Sequence, residues 1–189
     1  EAFPDRAFYV TDVGQHQMWA TQYVRLNETK RMITSGGLGT MGFGFPAAVG
    51  AAIGMQSLSE KERKPVVCIT GDGGFQMNMQ DMATAVKEKV PLTVCIINNR
   101  YLGMVRQFQQ IFYGKRYILT DLSDGENYEP DFVKWAESYG ALGIRVERGE
   151  DIVEALSRAK EHKGAAIVEF MIATEEIVLP MVKGGAPMS

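Results

Sequence analysis

The chain has 189 residues, 46% of them apolar and 23% charged, with a formal net charge of -3. That profile excludes disorder and fits one globular domain with a sizeable core. The mild negative charge speaks against a nucleic-acid binder, which shows a basic patch. No run approaches the roughly 18 uninterrupted apolar residues of a membrane span, and no basic-then-apolar leader is seen, so a cytoplasmic protein is expected. Cys68 and Cys95 each sit in an apolar β-like run without CxxC spacing and read as reduced core residues. Glycine is the unusual component, 20 residues of 189, and the glycines cluster.

In chain order, 7–11 (AFYVT) reads as a short strand, 15–26 as an amphipathic helix and 31–34 as a second strand. The glycine-rich stretch 35–44 leads into a helix of small residues over 45–56. A buried strand at 65–70 (PVVCIT), a helix over 75–90, a strand at 92–97 (LTVCII) and a helix over 102–113 come next. The polar stretch 121–130 reads as a loop, 131–139 as a helix opened by Asp131, 142–146 as a strand, 150–162 as a helix and 165–172 as the last strand. Met77, Met79 and Met82 are expected in the core. Continuous apolar strands alternating with helices imply an α/β, doubly wound, mostly parallel sheet with helices on both faces, in a single domain over 1–189. Such sheets bind ligands at the carboxyl ends of their strands.

Two of those ends carry chemistry: PVVCIT is followed by Gly71-Asp72-Gly73-Gly74, and LTVCII by Asn98-Asn99. A helix over 75–90 is about 24 Å long at roughly 1.5 Å per residue, and the strand returning over 92–98 covers about 23 Å at roughly 3.3 Å per residue. Asp72 and Asn99 therefore reach the same sheet edge, one crossover apart. Their oxygens suit Mg²⁺ or Ca²⁺, and the N–H groups of a helix starting at Gly74 suit a phosphate. A tight turn and a strand-end turn pair explain either motif alone, but not both at this spacing.

GDG followed, after 24 intervening residues, by NN resembles the motif of thiamine diphosphate enzymes. The resemblance implies that Asp72, Asn99 and the backbone carbonyl of Tyr101 hold Mg²⁺ on the cofactor diphosphate. Three further segments, QHQMW at 15–19, SGGLGTMGFG at 35–44 and LGMVRQ at 102–107, resemble the acetohydroxyacid synthase (acetolactate synthase) catalytic subunit. That resemblance runs from about Thr11 to the Leu179-Pro180-Met181 segment and covers only the C-terminal, diphosphate-binding domain of that subunit. It implies that Gln15 and His16 contact the diphosphate end, and that Gly39, Thr40 and Met41 hold the aminopyrimidine. Gly73, Gly74, Arg100, Leu102, Gly103 and Met104 complete the cofactor wall. From the residues alone, His16 could equally face solvent at a helix start, and Met41 could be an ordinary core methionine.

What the family implies about activity is decarboxylation of pyruvate and transfer of the hydroxyethyl unit to a second 2-oxoacid, pyruvate or 2-oxobutyrate, in branched-chain amino-acid synthesis. It also implies an assisting glutamate on the pyrimidine-binding domain of a partner subunit, FAD held mostly by a middle domain, and a homodimer or larger oligomer with a regulatory small subunit. Neither of those two domains is in this chain, so the chain alone is expected to be inactive. No catalytic residue of its own is expected. The family pattern has Trp where this chain has Phe108, and that Trp is associated with preference for 2-oxobutyrate in the substrate pocket. Two alternatives remain: a separate cofactor-binding subunit of another 2-oxoacid decarboxylase or oxidoreductase, and a non-catalytic cofactor-binding module.

Overall fold

The computed structural model describes residues 3, 7–26, 28–123, 129–182 and 185. Its strands are β1 (Phe8–Thr11), β2 (Met32–Thr34), β3 (Val66–Gly71), β4 (Leu92–Asn98), β5 (Leu142–Val146) and β6 (Ala165–Met171). They form one all-parallel sheet in the order β2-β1-β3-β4-β6-β5. The helices are α1 (Gln15–Tyr23), α2 (Gly44–Gln56), α3 (Asp72–Asn78), α4 (Met82–Lys87), α5 (Gly103–Phe112), α6 (Phe132–Ser138) and α7 (Ile152–Glu161). Right-handed crossovers place helices on opposite faces when the chain reverses direction along the sheet. Thus α2, α3, α4 and α6 cover the face that holds the main core, while α7 packs on the other. The doubly wound architecture expected from the strand pattern is what the chain adopts.

The chain steps from β1 outward to β2, then returns past β1 to β3 and continues the other way. The sheet order therefore reverses between β1 and β3, and the crevice at their carboxyl ends is where open α/β sheets take ligands. Beneath that crevice, Phe75 is fully buried and packs against Phe45, Phe132 and Trp135 with ring centroids 5.0–5.6 Å apart. This aromatic cluster holds the start of α3 rigidly at the end of β3.

The helix expected over 75–90 is divided. It begins earlier, at Asp72, ends at Asn78, and resumes at Met82 after a 3₁₀ turn (Met79–Asp81). Asn78 leaves helical geometry at φ −139°, and its side-chain amide donates to the carbonyl of Gly42 at 2.8 Å. A short polar side chain that finds such a partner competes with helix continuation. Of the three methionines expected in the core, Met82 is fully buried and Met79 packs against it, but Met77 is exposed on the side of α3 that meets the loop at Gly42. Asp131 caps α6 by accepting from the Lys134 N–H at 3.1 Å, while residues 124–128 of the expected loop lie outside the described residues. Cys68 faces the main core and Cys95 the opposite face, both buried and unbridged. No helix among the described residues is long and apolar enough to cross a membrane.

Candidate active site

Gly71 pairs with Ile97 across β3 and β4, so Asp72 and Asn99 emerge one register step apart at the same edge. They line one cleft together with Gln15, His16, Met41, Gly73, Gly74, Tyr101, Leu102, Gly103 and Met104. The remaining sequence-derived candidates do not line it. Gly39 and Thr40 form the exposed approach loop, tied to Ser35 by backbone N–H groups at 3.1 and 3.0 Å. Gly39 itself sits at φ +64°, a left-handed conformation that suits glycine. Arg100 turns its side chain to Glu129 at 2.7 Å. Phe108 packs on Phe112 and Tyr113 with centroids 4.6 and 5.9 Å away.

Asp72 is 4% exposed, and burial pushes its carboxyl up to about 7, against the pull of the backbone N–H groups of Asp72, Gly73 and Arg100. The negative charge of Glu129 adds to the rise. His16 is also buried, and desolvation lowers it to about 4 despite the opposing pull of Asp12, so the imidazole is neutral near pH 7. The ring is lodged against two glycines. A Cβ on Gly14 would stand 2.7 Å from His16 Cε1, and one on Gly71 would stand 2.9 Å from Nδ1. His16 Nε2 is buried without a hydrogen-bond partner. Of the two readings left open by the residues alone, the structure therefore takes the buried, cleft-lining one.

Gly103 answers to close approach. A Cβ there would run into Gln15 Oε1 and stand 2.5 Å from Asn99 Nδ2, so α5 can begin only with glycine at this packing. Asn99 donates from Nδ2 to Gln15 Oε1 at 3.0 Å and accepts at Oδ1 from the Tyr101 N–H at 3.1 Å.

Behind this front lie residues that the sequence reading passed over. Asn98, the first of the asparagine pair, faces away from the cleft. Its Oδ1 accepts from the Arg100 N–H at 3.0 Å, while its Nδ2 donates to Glu169 at 2.8 Å and Glu129 at 3.2 Å. Glu169, 1% exposed, is paired with Arg145 at 2.8 Å. The signal for it was present: a lone charge in the apolar strand AAIVEFM needs a partner. Asp12, fully buried after β1, accepts from the N–H groups of Val13, Gly42 and Gly44 at 2.8, 3.1 and 2.7 Å. It holds the glycine loop and the start of α2 against β1. Asp12→Ala strands these buried donors and is expected to destabilise the fold by about 3 kcal/mol. Urea unfolding resolves that, and a loss below about 0.5 kcal/mol, the scale of ordinary surface substitutions, would show the donors finding other acceptors.

These features bring a buried carboxylate, amides and a neutral imidazole to the switch-point cleft of a doubly wound sheet, and the chain belongs to the thiamine pyrophosphate enzymes. Residues 12–170 match the family described as "Thiamine pyrophosphate enzyme, C-terminal TPP binding domain". Within it, the sequence is similar to acetolactate synthases. It is 45% identical over 185 residues to acetolactate synthase of Mycobacterium bovis, covering 97% of this chain and 29% of that protein. The large subunit of Corynebacterium glutamicum is 42% identical over 190 residues, covering 100% of this chain and 29% of that protein. The chain thus spans under a third of the length of these relatives. Among solved structures, the Rhodococcus jostii RHA1 thiamine diphosphate-dependent 4-hydroxybenzoylformate decarboxylase superposes with a TM-score of 0.78 at 26% identity, over 91% of this chain and 30% of that one.

The donor set fits a diphosphate-bound cation. No cluster of three or more His, Cys, Asp or Glu side chains suited to a metal occurs among the described residues. A lone carboxylate with neutral oxygens is the pattern of Mg²⁺, which takes one or two carboxylates and completes its shell with water and substrate phosphates. His16 Nε2, on a residue of the cleft wall and without a hydrogen-bond partner, is a polar atom left over for such a group.

Proposed function

We propose that this chain is the diphosphate- and Mg²⁺-binding domain of an acetolactate synthase large subunit. That enzyme is a thiamine-diphosphate-dependent transferase that decarboxylates pyruvate and passes a two-carbon unit to a second pyruvate or to 2-oxobutyrate in branched-chain amino-acid synthesis. The observation that carries the reading is the meeting of Asp72, Asn99 and Gln15 at one strand edge, in a chain with 45% identity to an acetolactate synthase.

When bound, thiamine diphosphate supplies the electron sink for the carbanion chemistry. The chain's own part is to bind and orient. Asp72, Asn99 and the Tyr101 carbonyl hold Mg²⁺, while His16 meets the diphosphate as a neutral donor and Gln15, whose two NH₂ hydrogens go to Gln107 and the Glu176 carbonyl, stands at the diphosphate end behind Asn99. Met41 and Leu102, both packed over Gly73, give the apolar shelf for the cofactor body, with Gly39 and Thr40 on the loop toward the aminopyrimidine. Gly74, Gly103 and Met104 complete the wall, and Arg100 adds only its backbone N–H, turned to Asp72. In this reading the assisting glutamate comes from the pyrimidine-binding domain of a partner subunit. FAD and the regulatory small subunit also contact other parts of a cytoplasmic oligomer.

The test is a colour assay for acetolactate with pyruvate, Mg²⁺ and thiamine diphosphate, run on the chain alone and with the pyrimidine-binding half supplied. Colour only in the second case is expected. Full-rate synthesis by the chain alone would overturn the division of labour, and silence in both with the cofactor bound would favour another 2-oxoacid decarboxylase or a non-catalytic module.

Phe108, where the family has Trp, leaves room for a larger ring near the second substrate. In the whole enzyme, Phe108→Trp is expected to raise the preference for 2-oxobutyrate over pyruvate, by roughly 10- to 200-fold at most, the range a methylene-scale packing change commands. Competition between the two 2-oxoacids measures it, and an unchanged product ratio removes Phe108 from the substrate pocket.

A further inference from the structure

Gln107 lies on α5, is 1% exposed and does not line the cleft. Its amide is fully engaged. Nε2 donates to the carbonyl of Val178 at 2.7 Å and lies 3.2 Å from Met181 Sδ, while Oε1 accepts from the Val178 N–H at 2.8 Å and from Gln15 Nε2 at 2.7 Å. A backbone N–H can only donate and a backbone carbonyl can only accept, so the bonds to Val178 dictate which end of the Gln107 amide is oxygen.

That orientation propagates. Gln15 must turn its NH₂ toward Gln107 Oε1, and it places the second hydrogen on the Glu176 carbonyl at 3.0 Å. Gln15 Oε1 is then left facing Asn99 and can meet only an NH₂ group, which Asn99 supplies at 3.0 Å. Asn99 Oδ1 is consequently held on the other side, toward the Tyr101 N–H at 3.1 Å. All three amides are buried. An unconstrained carboxamide flips with almost no change of shape and would offer nitrogen where a cation needs oxygen.

We propose that Gln107 is a positioning residue: through Gln15 it sets the amide of Asn99 so that oxygen, not nitrogen, is presented for the cation. The polarity is fixed from both ends, by the backbone of Val178 through Gln107 and Gln15 and by the Tyr101 N–H on Asn99 itself, which makes the 176–181 segment part of the metal site's support although it contributes no ligand. The functional consequence rests on the reading of Asn99 as a Mg²⁺ ligand; the chain of amides itself does not.

The test has two arms. In ¹⁵N-labelled protein without cofactor, the Asn99 side-chain NH₂ protons are expected to be protected from solvent exchange and to show cross-relaxation to the Gln15 side chain. Cross-relaxation to the Tyr101 amide instead would overturn the proposal, and this arm needs no variant. In the second arm, Gln107→Met keeps the shape but removes the amide. The Mg²⁺ concentration for half-maximal thiamine diphosphate binding, read by Trp19 fluorescence, is expected to rise about 10-fold, at the low end of what outer partners of metal ligands contribute. In an Asn99→Ala background the same substitution should add under about 2-fold, because a residue acting through Asn99 has nothing left to orient. An unchanged requirement in Gln107→Met, or a full additional loss in the Asn99→Ala background, would overturn the proposal. If the unaltered protein binds no Mg²⁺ with thiamine diphosphate, the reading of the site fails, and the first arm alone decides the amide chain.

Discussion

Asp72→Asn is expected to abolish Mg²⁺-dependent binding of thiamine diphosphate while leaving the fold intact. The substitution keeps the volume of the side chain and removes the one negative charge that the ends of β3 and β4 bring into the cleft. Hard cations demand that charge, since neutral oxygens compensate poorly for the water a dehydrating Mg²⁺ gives up. A loss of at least about 100-fold, roughly 3 kcal/mol, is anticipated. The same physics gives a pH dependence in the unaltered protein. Burial holds the Asp72 carboxyl at about 7, so a proton competes with the cation for it. Apparent Mg²⁺ affinity should therefore fall toward tenfold per pH unit below that value and level off above it. Calorimetry on both proteins between pH 5.5 and 8 (on either side of about 7) is the check. Equal affinities, with matching circular dichroism, would take Asp72 out of the metal site.

The pairing of Asp72 with Asn99 was legible because the two motifs close consecutive parallel strands one crossover apart, and the register of Gly71 with Ile97 bears that out although the helix expected between them is divided. The supports of that pair were not legible. Gln15 and Gln107 are 92 positions apart, Asn98 and Glu169 71, and Asp12 and Gly44 32. No periodicity encodes such bonds; only the strand order brings the partners to one edge. The same holds for the break after Asn78, whose partner Gly42 lies 36 positions back. His16 was undecidable for a related reason. Its burial depends on the missing side chains of Gly14 and Gly71, one two positions back in the chain and one delivered by strand β3. Spacing thus brought Asp72 and Asn99 to one cleft. The tertiary fold decides which atoms of those groups are turned toward it.

The two perturbed groups of the cleft oppose each other in stability, and separating them gives the last expectation. Asp72 is raised in the folded state from 3.8 to about 7, so its contribution to stability is fully present below about 3.8 and is lost as pH rises to 7. His16 is lowered from 6.5 to about 4, so its contribution is fully present above 6.5 and is lost as pH falls to 4. Between those limits the slopes, each about 1.4 kcal/mol per pH unit, have opposite signs and nearly cancel. Metal-free protein should therefore show little net effect of the pair from pH 4 to 6.5, a window bounded by the His16 values. In His16→Gln the Asp72 slope stands alone, and stability should fall with rising pH by on the order of 3 kcal/mol. In Asp72→Asn the His16 slope stands alone, and stability should climb over the same window by on the order of 3 kcal/mol. Urea unfolding in the presence of a chelator, taken as the difference from the unaltered protein at each pH, cancels the groups common to all three. Parallel curves for the two variants would mean that the cleft is wetter than the burial of these side chains implies. Diverging curves would show that the site holds a proton on its carboxylate, and none on its imidazole, at the expense of the fold's stability until a cation takes the proton's place.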